Sequence, residues 1–216
     1  MNVAIAGAHG RTALRLTRLL VARGERVIGL IRNPDHASEV SEAGASPVLC
    51  DLEHATVEEI ALAIDTADAV VFAAGSGAAS GADGTLRVDR DAAIKLIAAA
   101  TIVGAPRYVM ISGAGPENPP SKDPLFEVYL RAKAEADVEL AASDREWTIV
   151  RPGRLTDDPG TEDVRIDTVP FMGSVPRDDV ASVLALALVD ARSARRILYV
   201  NSGQQPVKVA LEEVLR

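Results

Sequence analysis

Tyr129 and Lys133 stand four positions apart in the segment YLRAKAEAD, a spacing that stacks two side chains on one face of a helix. A phenol titrating near 10 is a poor acid–base catalyst at neutral pH unless a close cation favours its anion. A lysine one turn away is such a cation, although the same spacing suits a plain amphipathic helix face. A second set opens the chain. In MNVAIAGAHGRTA, a short apolar run is followed by Gly7, Gly10 and Ala13 at three-residue intervals. A first glycine lets the chain turn tightly out of a strand, and a second lets backbone approach a pyrophosphate. A third small residue lets the next helix pack closely on the sheet. Arg11 and Thr12 begin that helix, where free N–H groups and the positive end of the dipole attract phosphate. Spacing alone leaves an ordinary strand-to-helix turn equally open.

The run RVIGLI is followed at once by Arg32, with no acid until Asp35. Sites for a dinucleotide without a 2′-phosphate place a carboxylate here to accept the ribose hydroxyls, whereas 2′-phosphorylated dinucleotides call for arginine. A guanidinium meets such a phosphate through paired, charge-assisted hydrogen bonds; the bland reading is a loop arginine in solvent. Further on, LCDLE puts Asp51 where a carboxylate can accept from an adenine amino group, or can cap the helix that follows.

These residues need elements to hold them, and the pattern supplies an alternation. Short apolar runs at 2–6, 26–31, 47–50, 69–73, 107–112 and 147–151 read as strands covered on both faces. Helical periodicity lies between them at 11–22, weakly at 36–42, and at 57–64, 88–103 and 125–142. That succession predicts right-handed crossovers and an α/β, doubly wound parallel sheet. Residues 154–176, rich in Asp, Pro, Gly and Thr, read as a small substrate-side cap made of loops with one short strand at 164–168. A helix from 178 to 189, a strand at 196–200 and a helix at 207–215 follow. No linker or repeat divides the chain, so residues 1–216 are expected to form a single domain.

Composition narrows the partners. The 216 residues carry a formal charge of −8, with only four lysines among 23 cations, which argues against a phosphate-tracking nucleic-acid surface. Cys50 is the only cysteine, and His9, His36 and His54 show no ligand spacing, so neither a disulfide nor a metal centre is expected. The first apolar run is too short for a signal peptide and no segment approaches bilayer length. By default the chain reads as cytoplasmic, with a small-molecule substrate and no membrane partner.

GAHGRTA, IRNP, CDLE, VFAAGSG, YVMISGAG, YLRAKAEAD and TIVRPGRL follow one another in an order that resembles the atypical short-chain dehydrogenase/reductases. The likeness is closest to their small NAD(P)-binding, NmrA-like branch. It covers nearly the whole chain to about Leu155 and, more loosely, PRDDVASVLALAL. The resemblance implies a Rossmann sheet of about seven parallel strands with a nicotinamide dinucleotide, here NADP(H), across the ends of strands one and four. It places Ala73, Ala74 and Gly75 beside the adenosine ribose and pyrophosphate, His9 and Leu52 on the cofactor wall, and Pro152 and Gly153 near the nicotinamide. It makes Tyr129 the proton donor, Lys133 the group that lowers the phenol and holds the nicotinamide ribose, and Ser112 the hydroxyl that polarises substrate. For Ser112, Pro152 and Gly153 the bland reading is a strand-ending turn. One departure stands out: the asparagine of the four-residue relay is absent from RVDRDAAIKL, which offers Asp89, a residue that can equally cap or solvate a helix. The Pro-rich stretch GAGPENPPSKDPLF is long enough to fold over the nicotinamide, and with Phe171 and Met172 to line a substrate pocket. Phe126 and Phe171 can equally be core fillers.

The favoured expectation is an NADP(H)-dependent oxidoreductase that reduces a small carbonyl or quinone-like substrate. Its competitor is an NmrA-like sensor that binds NADP(H) without turnover. A sugar-nucleotide epimerase ranks lowest, because the chain after residue 151 is short for a nucleotide-sugar domain. A monomer or a homodimer fits the sequence equally.

Overall fold

A computed structural model of the chain describes residues 1–77, 81–113, 115 and 123–216. Six strands, β1 (Asn2–Ala6), β2 (Arg26–Ile31), β3 (Ser46–Leu49), β4 (Ala69–Phe72), β5 (Arg107–Ile111) and β6 (Glu146–Pro152), alternate with helices. The helices are α1 (Arg11–Ala22), α2 (Ala37–Glu42), α3 (Val57–Ala63), α4 (Gly81–Thr85), α5 (Ala93–Ile102) and α6 (Pro124–Ala142). The chain then forms β7 (Arg154–Thr156), β8 (Asp163–Asp167), β9 (Ser174–Pro176), α7 (Arg177–Val189), β10 (Arg196–Ser202), β11 (Gln205–Pro206) and α8 (Val207–Val214). No helix among the described residues is long and apolar enough to cross a membrane.

The alternation of side chains along each strand builds two cores. Val3 and Ile5 of β1 enter one layer with Leu16 and Leu20 of α1 and Leu184 of α7. Ala4 and Ala6 enter the other, with Ile60 of α3, Leu96 of α5 and Leu140 of α6. Both faces are therefore apolar, as a sheet covered by helices on each side requires.

Seven strands run parallel in the order β3-β2-β1-β4-β5-β6-β10. β8 and β11 add two more at the far edge, β8 antiparallel to both β10 and β11. The nine-stranded sheet thus exceeds the expected seven because β8 covers what would otherwise be the open edge of β10. The stretch 154–176 is more regular than a loop-built cap: β8 joins the main sheet, while β7 and β9 pair as a separate two-stranded sheet. The strand order reverses between β1 and β4, and open α/β sheets bind ligands at that point.

One helix departs from expectation where it matters. The periodicity at 88–103 predicts a uniform helix, but residues 86–92 form a wide π-helical turn between α4 and α5. Such turns are rare and concentrate at functional sites. Most of the Pro-rich stretch expected to cover the site, residues 114 and 116–122, lies outside the described residues.

Candidate functional site

Strand β1 ends in the glycine loop, and β4 ends directly beside it. Gly7 has φ +75°, and a Cβ there would sit 2.7 Å from the Ala74 Cα. Only glycine satisfies both the left-handed backbone and the close approach. Gly10 closes the turn by donating its N–H to the Gly7 carbonyl at 2.8 Å, and then caps α1. It brings no side-chain cap, and the first turn of α1 holds no acid, which leaves its N–H groups and dipole to an anion.

A pocket of about 250 Å³ opens in front of this loop. That is below the ~300–1,000 Å³ typical of whole-ligand sites. Gly7, His9, Gly10, Arg32, Asp51, Leu52, Ala74 and Gly75, all among the expected cofactor-binding residues, line this pocket. A Cβ on Gly75 would meet only Asp89 Oδ1, at an ordinary 3.5 Å. Gly75→Val is therefore expected to fold normally yet to weaken dinucleotide binding by roughly 10–100-fold, with Gly75→Ala intermediate. Calorimetric titration with unchanged affinity for the valine variant would move the ligand elsewhere. Gly10 is a poorer probe, since its Cβ would press the Gly7 carbonyl at 3.0 Å.

Two assigned residues of the loop do not reach the pocket. Arg11 extends to Asp157, which Arg177 also holds at 2.9 Å, and Thr12 is buried in the first turn of α1. Arg32 does reach it, but a carboxylate competes, contrary to expectation. Glu53 accepts from Arg32 at 2.9 Å and from Arg87 at 3.2 Å. Two guanidiniums thus share one carboxylate. Asp51 is engaged locally: it accepts from the Glu53 N–H at 3.0 Å and pairs with His54 at 2.9 Å. Burial pushes the Asp51 carboxyl up, but the His54 and Glu53 hydrogen bonds and the nearby charges of His54 and Arg32 outweigh it and hold it below its usual value.

The chemistry-bearing residues converge beyond Gly75. On α6, Tyr129, Lys133 and Asp137 repeat every four residues and face the ends of β4, β5 and β6. Lys133 is almost fully buried. Its ammonium lies 3.0 Å from Asp89 Oδ1 on the π turn, and donates to the carbonyls of Ile111 at 3.3 Å and Ala74 at 3.5 Å. Asp89, wholly buried, also accepts from the Ser76 hydroxyl at 2.8 Å and its N–H at 3.2 Å. It is neither an exposed cap nor a solvated face. Asp89, in the stretch that lacks the relay asparagine, is instead held in the interior beside Lys133.

The tyrosine behaves differently from the sequence expectation. Burial pushes the Tyr129 phenol above its ordinary 10.0; the Lys133 charge pulls it back, but Asp89 and Asp137 add to the rise. Lys133 does not win that balance. Burial pulls the Lys133 ammonium down, yet Tyr129, Asp89 and Asp137 raise it overall, so it stays charged. Ser112 also departs from its assigned role. Its hydroxyl donates to Asp137 Oδ2 at 2.9 Å inside the protein, and a single proton cannot polarise substrate at the same time. Asp137 Oδ2 takes two further bonds from Arg151, at 2.8 and 3.1 Å. Burial pushes the Asp137 carboxyl up to about 7, against the Ser112 bond and the Lys133 charge. Ser112 and Asp137 thus tie α6 to β5 and β6.

Ala73 hydrogen-bonds to Ala6, holding the end of β4 to β1. Pro152 is buried at the end of β6, and Gly153 is explained by packing: a Cβ there would strike Asn201 and Gly173. Neither is part of the pocket wall. Among the described residues no cluster of His, Cys, Asp and Glu is arranged to hold a metal.

A family model described as NAD(P)H-binding matches residues 7–191. The chain belongs to that NAD(P)H-binding family. Its relatives extend over the whole fold. The uncharacterized sugar epimerase YhfK of Bacillus subtilis is 36% identical over 99% of this chain and 100% of its own. A Bacillus halodurans structure named for the NAD-dependent epimerase/dehydratases superposes with a TM-score of 0.91 at 35% identity, covering 98% of this chain and 99% of that one. A short-chain dehydrogenase/reductase of Veillonella parvula, solved in complex with NADP, shares the fold at a TM-score of 0.72 and 18% identity, covering 95% and 96% of the two chains.

Proposed function

We propose that the protein is an NADP(H)-dependent reductase of a small carbonyl or quinone-like substrate. One observation carries the reading: a protonated Tyr129, a charged Lys133 and a buried Asp89 converge directly beside the Gly7–Ala74–Gly75 cradle. The residues fit the cofactor. The cradle leaves space at Gly75, α1 offers an uncapped N-terminus, and Arg32, Asp51 and Leu52 wall the adenosine side. Bound NADPH would supply a hydride to the substrate carbon.

The chain's own part is proton chemistry. Tyr129 keeps its proton throughout the neutral range and can give it from the phenol oxygen to the developing alkoxide. The Lys133 ammonium steadies the phenolate left behind. Asp89 and the carbonyls of Ile111 and Ala74 fix that ammonium; the 3.5 Å bond to Ala74 is the one a ribose hydroxyl can replace. Asp137 and Ser112 hold the helix register that keeps Tyr129 at the strand ends.

Arg32 supports the choice of NADP(H). Arg32→Ala should weaken NADPH by about 10–100-fold and leave NADH nearly unchanged, read by titrating both cofactors. Equal losses for the two would separate Arg32 from the 2′-phosphate. Reductase activity itself is tested by following NADPH oxidation across quinones, aldehydes and ketones. The sensor reading predicts tight binding with no oxidation by any of them. Two relatives are named as epimerases, but here the chain after β6 builds β8, β10, β11, α7 and α8, leaving only the small β7–β9 sheet to accept a sugar nucleotide.

A further inference from the structure

At the mouth of the pocket the glycine loop and the turn after β2 each supply a histidine. The rings of His9 and His36 stack with centroids 3.6 Å apart and planes 12° from parallel. His9 Nε2 is bonded to Glu39 on α2 at 2.7 Å, whereas the ring nitrogens of His36 make no hydrogen bond to another described residue. Both side chains line the same pocket as Arg32.

The charges around the pair come from three sides. Glu39 lies on α2, Arg32 and Asp35 flank His36 on its own turn, and Asp51, Glu53 and Arg87 lie on the segments across the pocket. Glu39 faces His9 and can balance one positive charge on the pair. A second would set two cations against each other at stacking distance, next to the Arg32 guanidinium. A phosphomonoester, with a charge of about −1.5 to −2 at neutral pH, removes that obstacle. Imidazole is also the side chain whose charge changes most readily in this pH range.

We propose that His9 and His36 form a proton-linked clamp for the 2′-phosphate of the dinucleotide, with His36 taking up a proton as the phosphate arrives. The inference rests on the reading of this pocket as the adenosine site. It adds a specificity device that Arg32 alone does not provide: preference for the phosphorylated cofactor strengthens as pH falls.

The test is calorimetric titration of the whole protein with NADPH and with NADH, near neutral pH, in two buffers of different ionisation enthalpy. The expected result is net proton uptake with NADPH that NADH lacks. His36→Gln should abolish the excess uptake and weaken NADPH about tenfold more than NADH, with thermal unfolding of the variant reporting that it folds. Native protein that binds NADPH without excess uptake overturns the clamp and leaves the dinucleotide site standing. Excess uptake that persists in the His36→Gln variant assigns the proton elsewhere and also overturns it. Failure of the native protein to bind either cofactor overturns the clamp together with the site.

Discussion

Tyr129→Phe lowers NADPH-dependent turnover by about 10²–10⁴-fold, the usual contribution of a general acid, while NADPH affinity barely moves. The ring and its stacking on Phe126 at 5.8 Å are kept; only the transferable proton is removed. The pH profile separates this role from a structural one. Burial and two carboxylates hold the phenol above its ordinary value, so the acid form persists as pH rises through neutrality. Reduction should therefore show no loss attributable to this group between about pH 6 and 9, and should fail only in more alkaline solution. The reverse reaction needs the phenolate and should quicken over the alkaline range. A phenylalanine variant with full activity would mean that the proton comes from another group or from water.

Lys133→Met should cost about 3–5 kcal/mol of folding stability, the range for leaving one partner of a buried ion pair uncompensated. Asp89 would keep its Ser76 bonds but lose the ammonium 3.0 Å away. Lys133→Met combined with Asp89→Asn removes the stranded charge as well, and most of the loss should be recovered in denaturant melts. Turnover should not return in the double variant, because the phenolate still lacks its cation. A single variant as stable as the native chain would show that the pair contributes no net stability.

Much of this site could be read from local pattern. Gly7, Gly10 and the acid-free start of the next helix follow from the spacing of small residues, and the doubly wound parallel sheet follows from the alternation of apolar runs. The residues that escaped depend on contacts across the fold. Asp89 lies on the π turn and is buried against Lys133, a contact that a helical period read along the sequence does not show. Glu53 and His36 reach the pocket only after β2 and β3 lie side by side. Ser112 looked catalytic because its bond to Asp137 cannot be seen from either residue alone. Asp137 did carry a signal, since it continues the four-residue interval of Tyr129 and Lys133. β8 was legible as a strand, but its place on the edge of β10 is a matter of tertiary pairing.

The most direct test of the central claim is a crystal structure of the protein grown with NADP⁺. The account predicts the pyrophosphate at the Gly7–Gly10 loop, the 2′-phosphate on Arg32, and the nicotinamide beside Lys133 within reach of the Tyr129 hydroxyl. A dinucleotide seated elsewhere, or one whose nicotinamide points away from Tyr129, would contradict it.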